Sequence, residues 1–295
     1  EGSLAWLDVS TGEFHVQSCP RVQLSPNLAR LTAREVLVNP ADEADLREII
    51  EESGAAMTPL SRSSFDSSGA AKKLCAIFKV ASLDGFGQFS VSDISVMGAL
   101  VDYLDLTQKG NLPILRPPVK EIRSHTMQID AATRRNLELT RALSGGRDGS
   151  LLAVIDRTVT GGGARLLERR IGSPSTHLPT IRQRLDEISF YLDRSADASI
   201  VRADLRQTPD IERSLSRLGL DRGGPRDLAA IRSGLRQANI IATRHIGGEM
   251  PDSLTIAAQA LIGFDDLLAL LERALVAEPA LLVRDGGFVA AEFDS

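Results

Sequence analysis

Two proline-containing segments divide this chain into parts whose apolar residues follow different periods. The segments are residues 111–113 (Asn-Leu-Pro) and 116–118 (Arg-Pro-Pro). Proline fixes its own φ and disfavours a helical conformation in the residue before it, so they predict a stiff, non-helical linker over residues 107–125. A chain of 295 residues that changes its period at such a linker is expected to form two domains.

Strand and helix patterns alternate in the first 106 residues. Residues 4–9 and 13–17 flank the turn-forming Ser10-Thr11-Gly12, which predicts a β-hairpin. An α/β domain is therefore predicted for residues 1–106. Its other expected elements are a helix opened by Ser25-Pro26, a strand over 35–38, a helix over 42–53 stopped by Gly54, a strand over 56–60 and a helix over 92–106.

A helical period of 3.6 residues dominates after the linker. We predict an all-α part there, with a helical core over 126–265 and a lever helix over 266–295 that leads towards a further domain. Residues 281–289 regain strand character with no partner strand in view. The clearest helical stripes lie over 181–192, over 211–218, from Pro225 to Leu235, and over 254–275, where one helix of more than twenty residues is expected.

Composition excludes several classes of protein and site. Aromatic residues make up only 4% of the chain, which argues against a stacking surface for single-stranded nucleic acid. No run of about 18 uncharged apolar residues occurs, which argues against a membrane span. Cys19 and Cys75 are expected to be small core residues in a reducing compartment. No metal site is predicted, because none of the four histidines stands at metal-ligand spacing: His15, His125, His177 and His245.

Charge is distributed unevenly along the chain. Residues 1–106 carry 8 Lys and Arg against 15 Asp and Glu, a net charge of -7. Residues 123–184 hold 11 Arg against five acidic residues, a net charge of +6. Arginine suits both phosphate binding and interface ion pairs. We favour ion pairs or a solvated face over direct contact with DNA, and both alternatives stay open.

Two glycine-rich segments need to be weighed as nucleotide sites. Residues 145–150 (Gly-Gly-Arg-Asp-Gly-Ser) lack the lysine of a phosphate loop, and residues 161–163 have Leu166 where a dinucleotide motif needs its third glycine. We interpret residues 161–163 as a close helix approach, because each helical glycine costs about 1 kcal/mol relative to alanine. No catalytic or cofactor-binding residue is predicted in this chain.

Asp8 is the one residue that raises a catalytic alternative. It ends the first predicted strand, as the first metal-binding carboxylate does in ribonuclease-H-like nucleases. Two-metal chemistry needs several converging carboxylates, and Glu35, Asp84 and Asp102 have no diagnostic spacing to Asp8. We interpret Asp8 as a turn residue whose side chain accepts backbone N–H bonds, and keep the nuclease as an alternative.

Several ungapped motifs resemble the MutS family of DNA mismatch-recognition proteins. Residues 4–14 (LAWLDVSTGEF) resemble the opening of the MutS connector, a ribonuclease-H-like domain. Residues 127–139 (MQIDAATRRNLEL) resemble the start of the MutS core. The similarity continues through residues 145–152, 154–158, 163–167 and 184–186 and covers essentially the whole chain in the family's order. Two departures, Gly162 for a usual methionine and Arg170 for a frequent tryptophan, remove no known catalytic group.

The resemblance implies the middle of a longer protein. A MutS protein has a mismatch reader, a connector, a core with levers, a clamp and an ATPase that binds ATP and Mg²⁺. Neither the Phe-x-Glu wedge of the reader nor a phosphate loop occurs here, and residue 1 is Glu rather than Met. The resemblance therefore implies a connector and lever fragment without a cofactor of its own.

The implied parent acts on mismatched duplex DNA in the bacterial cytoplasm, at the nucleoid. Its expected partners are a MutL-like protein, which would engage the connector, and further copies of itself in a dimer or tetramer. Besides the nuclease, two alternatives remain. One is a MutS relative that serves recombination without reading mismatches, and the other is a scaffold that does not touch DNA.

Overall fold

A computed structural model describes residues 2–245 and 249–293, without the side chain of His245. The chain forms two compact units. The N-terminal unit comprises Glu1–Ile155 and Glu168–Thr176, and the helical unit comprises Asp156–Leu167 and His177–Ser295. The first boundary between the compact units, after Ile155, thus lies later in the chain than the proline segments where the apolar period changes. None of the described helices combines the length and apolar composition needed to cross a membrane.

The N-terminal unit has the expected α/β architecture. Its secondary structure comprises β1 (Ser3–Asp8), β2 (Glu13–Ser18), α1 (Leu24–Leu31), β3 (Glu35–Val38), α2 (Glu43–Ser53), β4 (Ala56–Pro59), α3 (Ser67–Phe78), α4 (Val91–Thr107), β5 (Val119–Lys120), α5 (Ala131–Asn136) and α6 (Leu151–Ile155).

The predicted hairpin is confirmed. Strands β1 and β2 pair antiparallel, with Trp6 opposite His15. The turn between them requires Gly12, because its φ is 71° and a Cβ there would lie 2.1 Å from the carbonyl oxygen of Ile114. Asp8 acts as a turn residue, since its carboxylate accepts hydrogen bonds from the backbone N and the hydroxyl of Ser10 at 2.8 and 2.7 Å.

Part of the predicted linker lies in a sheet. Val119 and Lys120 form β5, which pairs parallel with β2, so the first sheet has the order β1-β2-β5. The backbone N–H of Arg116 also donates to Gly12. The second sheet pairs β3 with β4 in parallel. Within residues 107–125, Thr107 is the last residue of α4 and residues 123–125 form a 3₁₀ turn. The other residues are non-helical, and part of them belongs to the N-terminal sheet.

Two apolar clusters form the core of the N-terminal unit. The first contains Phe14, Leu74, Met97 and Val101, and lies between the hairpin and helices α3 and α4. The second cluster packs helices α1 and α2 against the second sheet. Successive side chains of β1 point to opposite faces, and Ala5 and Leu7 contact the first cluster whereas Leu4 contacts the second. The buried members of the second cluster are Cys19, Leu24, Leu28, Val38, Ile50 and Ala55.

Two helices of this unit differ from the expectation. Helix α1 begins at Leu24, and Ser25 does not cap it. Helix α3 was not anticipated, because its first turn, Ser-Ser-Gly, has a loop-like composition. The available signal was the preceding Asp66, whose carboxylate accepts from the backbone N of Gly69 at 2.7 Å and caps the helix.

Helices account for the regular structure of the described part of the helical unit. They are α7 (Gly161–Gly172), whose last five residues belong to the N-terminal unit, α8 (Leu178–Asp193), α9 (Ser195–Arg206), α10 (Ile211–Gly219), α11 (Pro225–His245), α12 (Asp252–Gln259) and α13 (Asp265–Ala274). The predicted α/β domain followed by a helical domain is therefore confirmed. Ile231, Leu271 and Leu275 form the buried centre of the core of the helical unit.

The single long helix expected over residues 254–275 is wrong. Helix α12 ends at Gln259 and α13 starts at Asp265, because Gly263 adopts a φ of 94° between them. The expected lever helix over 266–295 likewise stops at Ala274. Beyond it, Val289 forms an antiparallel bridge with Leu275, so part of the segment 281–289 does have a backbone partner.

Helix α8 forms where predicted, but its apolar stripe is not covered. Leu185 and Ile188 are each 55% exposed and Leu192 is 74% exposed. The periodicity therefore predicted the helix correctly, but the described residues of this chain do not bury the side chains of its apolar stripe. Exposed stripes of this kind favour self-association.

Candidate functional site

The carboxylates considered for a nuclease do not converge. Each of them is hydrogen-bonded to a different side chain. The described residues contain no group of three or more His, Cys, Asp or Glu that could hold a metal ion. The nuclease alternative therefore lacks the geometry of a two-metal site. The partners are Ser10 for Asp8 (2.7 Å), Tyr103 for Glu35 (2.7 Å), Ser82 for Asp84 (2.5 Å) and Lys73 for Asp102 (2.7 Å).

The glycine-rich segment 145–150 closes on itself. The backbone N–H groups of Gly145 and Ser150 donate to the carbonyls of Ala142 and Arg147, at 3.0 Å each. A phosphate cradle needs such N–H groups to point together at a ligand. The segment does not fit a nucleotide phosphate, and no step of the function is assigned to it.

Helix α7 carries the most charged contacts of the arginine-rich segment. Arg165 donates to both carboxylate oxygens of Asp210, at 2.7 and 3.0 Å, and to Glu212 at 2.6 Å. The bond to Asp210 and then that to Glu212 raise the pKa of Arg165 above its usual value against the effect of burial. The same bond holds the pKa of Asp210 below its usual range. A bidentate arginine pair fixes orientation as well as distance, so α7 is held in register with α10.

The glycines at the start of α7 permit this contact. A Cβ on Gly161 would lie 2.7 Å from Oδ2 of Asp210, whereas a Cβ on Gly162 would meet nothing closer than Arg165, at 3.8 Å. Thr160 caps the helix, because its hydroxyl accepts from the backbone N of Gly163 at 3.0 Å. The glycine run predicted a close approach of another helix, but the near neighbour of Gly161 is the carboxylate of Asp210, which caps α10, and not helix backbone.

These two glycines make a matched pair for mutation. Gly161→Ala is expected to lower the free energy of unfolding by about 1–2 kcal/mol, because the new methyl group displaces Asp210 from Arg165. Gly162→Ala is expected to be neutral or to stabilise by up to about 1 kcal/mol, because alanine is the better helix former. Urea unfolding of both variants measures the difference, and equal values would contradict the close approach.

The last turn of α7 is held within the N-terminal unit. Arg169 donates to both carboxylate oxygens of Glu13 on β2, at 2.8 and 2.7 Å. Arg134 donates to the carbonyl of Gly172, which ends the helix. The chain that follows α7 forms a bridge between Ser175 and Thr126. Each half of α7 is thereby anchored within its own unit.

Asp93 joins three elements of the N-terminal unit. Its fully buried carboxylate accepts from Oγ of Ser3 at 2.6 Å, from Nζ of Lys120 at 2.8 Å and from the backbone N of Ser90 at 2.9 Å. Burial would raise the pKa of Asp93, but the hydrogen bonds from Lys120, Ser3 and Ser90 outweigh it and hold the pKa below its usual value. The bonds connect β1, α4 and β5 through one ionised side chain.

His15 belongs to a second cluster of the same unit. Its ring stacks on Trp6 with centroids 5.4 Å apart, and the guanidinium of Arg30 lies 4.9 Å from the centre of the Trp6 ring. Burial lowers the pKa of His15, although the neighbouring Glu121 acts in the opposite direction. His15 thus has a structural role in this cluster.

Arg232 closes the end of α13 in the helical unit. This buried side chain donates to the carbonyls of Leu275, Val276 and Ala277 at 3.1, 2.9 and 2.7 Å. Carbonyls at and beyond a helix end lack N–H donors from the helix. The guanidinium of Arg232 supplies hydrogen bonds to these three carbonyls instead. Sequence reasoning missed this role, as it missed Asp210, Glu212 and Glu13, because each partner lies more than 40 residues away in the sequence.

Comparison with known proteins agrees with an α/β domain followed by a helical domain. A family model described as MutS domain II matches residues 2–116, and one described as MutS domain III matches residues 132–291. A DNA mismatch repair protein MutS from Ruegeria pomeroyi is 58% identical over 99% of this chain and 34% of its own length. Namesakes from Cereibacter sphaeroides and Paracoccus denitrificans are 58% and 56% identical over the whole chain and 33% of their own lengths.

The chain spans about a third of the length of these curated relatives. The two matched domains occur in the order that the motifs predicted, on an α/β unit and a helical unit. The chain therefore belongs to the MutS family.

Proposed function

We propose that this chain is the connector and core of a mismatch-repair MutS and couples DNA recognition to ATP-driven signalling. The observation that carries the proposal is the anchoring of α7. Arg165 fixes one half of this helix to Asp210 and Glu212, and Arg169 fixes the other half to Glu13. Coupling between distant sites needs rigid elements that pass a displacement on rather than reactive groups.

The contacts of the full-length parent are part of the same proposal. The parent binds mismatched duplex DNA and uses ATP and Mg²⁺ in an ATPase domain, and it works as a dimer or tetramer at the nucleoid in the cytoplasm. A MutL-like partner engages the N-terminal unit, whose first 106 residues carry a net charge of -7. The names of the relatives favour mismatch repair over the recombination alternative.

The coupling role is tested in the full-length parent by Arg165→Ala, numbered as in this chain. We expect affinity for mismatched DNA and basal ATP hydrolysis to stay within about twofold of wild type, while the mismatch-stimulated rise in ATP turnover falls about fivefold or more. Arg182→Ala removes an exposed arginine from α8 and is the matched control. An Arg165→Ala protein with normal stimulation, or one that loses DNA binding equally, would contradict the coupling role.

The 295-residue chain itself should lack both working activities. We expect no ATP hydrolysis above blank and no preference for mismatched over matched duplex. A gel-shift assay at about 150 mM salt limits non-specific binding through the arginine-rich segment. A clear preference for mismatched duplex in this assay would show that the chain itself recognises mismatches. It would contradict the proposal that other domains of the parent do so.

A further inference from the structure

A loop of the helical unit, residues 276–288, is closed at its base by backbone hydrogen bonds. The N–H of Val276 donates to the carbonyl of Phe288 at 3.0 Å, and the N–H of Ala290 donates to the carbonyl of Ala274 at 2.9 Å. We call this loop the strap. A single 3₁₀ turn is its regular secondary structure. The strap therefore depends on neighbouring helices for its position.

Arg232 of α11 holds the strap where it leaves α13. The side chain is buried, with 8% of its surface exposed, and its guanidinium donates to the carbonyls of Leu275, Val276 and Ala277. Three consecutive carbonyls do not point in one direction, and the planar fork of a guanidinium can reach all of them. One side chain thus fixes the first residues of the strap to α11.

Further contacts lay the strap along the first half of α11. Pro279 is buried, and Phe288 packs against the core cluster of the helical unit. A Cβ on Gly224, directly before α11, would lie 3.1 Å from the carbonyl oxygen of Leu281. Gly224 and Arg232 are eight residues apart, which corresponds to about 12 Å of helix. The strap therefore follows α11 from Arg232 back to the start of the helix.

Helix α11 is fastened in turn to α10. Arg217 of α10 donates to Asp227 of α11 at 2.9 Å. A Cβ on Gly234 of α11 would lie 2.3 Å from Cδ1 of Ile211, so the two helices pack closely at this point. The start of α10 also holds the two acidic partners of Arg165. Contacts within the helical unit thus run from α7 through α10 and α11 to the strap.

We propose that Arg232 is a positioning residue that makes the strap follow α11, so that a displacement of α7 reaches the strap through α10 and α11. This rests on the proposed coupling function and extends it beyond the anchors of α7. Without Arg232, the strap is held chiefly by the bonds at its base and by the packing of Pro279 and Phe288. It then opens locally while the helices stay folded. Closed and open straps are the two arrangements that an element of a coupling path needs.

Hydrogen exchange in the 295-residue chain tests the strap directly. The amides of Val276 and Ala290 report on its base. Arg232→Met keeps an unbranched stem and removes every donor, so we expect exchange at both amides to rise about tenfold or more, and amides inside α11 to stay within about twofold. Arg232→Lys keeps the charge without the fork and should raise exchange about threefold.

Arg236→Met is the matched control. Arg236 lies one turn further along α11, where it donates to Glu272 at the surface, and its loss should leave exchange at the base of the strap within about twofold. Unchanged exchange at Val276 and Ala290 in both Arg232 variants would overturn the proposal. Equal acceleration throughout α11, or unfolding of both variants by circular dichroism, would overturn it as well, because the strap would then not open on its own.

The role in coupling is tested in the proposed parent, numbered as in this chain. We expect Arg232→Met to lower the mismatch-stimulated rise in ATP turnover about fivefold, with DNA affinity and basal hydrolysis within about twofold of wild type, and Arg236→Met to have no effect. Reduced stimulation in Arg165→Ala with normal stimulation in Arg232→Met would remove the strap from the path and leave the coupling function intact. Normal stimulation in Arg165→Ala would contradict the coupling function itself, whatever the exchange rates of the strap.

Discussion

Asp93→Ala is expected to lower the free energy of unfolding of the N-terminal unit by about 3 kcal/mol. The substitution removes the acceptor for Ser3, Ser90 and Lys120 at one buried position. It also destroys the capping box of α4, which alone contributes about 1 kcal/mol. Urea unfolding followed by circular dichroism measures the loss, with Asp84→Ala as the exposed, singly bonded control.

The stability that Asp93 contributes should also depend on pH in a defined way, which Asp93→Asn tests. The pKa of Asp93 is lowered in the folded chain, so its stabilisation is present above the ordinary pKa of about 3.9 and is lost as pH falls through the folded pKa. The difference between wild type and Asp93→Asn should therefore be largest near neutral pH and shrink at the acidic end. A difference that grows on acidification would show that Asp93 is protonated in the fold.

Gly98→Val is expected to destabilise the N-terminal unit by about 3 kcal/mol. Gly98 lies where α4 crosses α3, and a Cβ there would come within 2.3 Å of the Cβ of Ala70 and 3.1 Å of its Cα. Because the obstacle includes backbone, a rotamer change cannot relieve it. The helices would have to separate, which would also loosen the contacts of Met97 and Val101 with the core.

A control and a rescue make this prediction specific. Gly85→Val places the same side chain where nothing lies within 4 Å of the new Cβ, and it should cost much less. Combining Gly98→Ala with Ala70→Gly should recover stability relative to Gly98→Ala alone, because the second change removes the opposing methyl group. Additive losses in thermal unfolding would mean that the two helices do not meet at this pair.

Elements with local signals could be predicted from the sequence. The hairpin followed from its turn residues, β3 from four apolar-rich residues before Asn39-Pro40, and the end of α2 from Gly54, which has a φ of 77°. Strand β5 could not be predicted in the same way, because its partner β2 lies about 100 residues earlier. Its sequence, which directly follows Pro117-Pro118, indicates only a stretch that is not helical.

Apolar periodicity predicted one helix where the structure has two, because the periodicity continues across a break in the backbone helix. Apolar residues keep their helical spacing from 254 to 275, but the φ of 94° at Gly263 separates two helices. The hydrophobic pattern reports which residues face the core and not whether the backbone between them is continuous. The candidate site shows the same limit, because Gly161 indicated a close approach while its partner Asp210 emerged only from the fold.

The boundary between the two units has a consequence for dissecting this protein. The chain passes between the units three times, after Ile155, Leu167 and Thr176. No single cut can therefore yield both units intact. A product ending at Ile155 would lack Gly172 and Ser175, which contact Arg134 and Thr126. One ending at Thr176 would retain the first half of α7 without Asp210. A single proteolytic cut between residues 155 and 177 would therefore split at least one of the two units between two fragments.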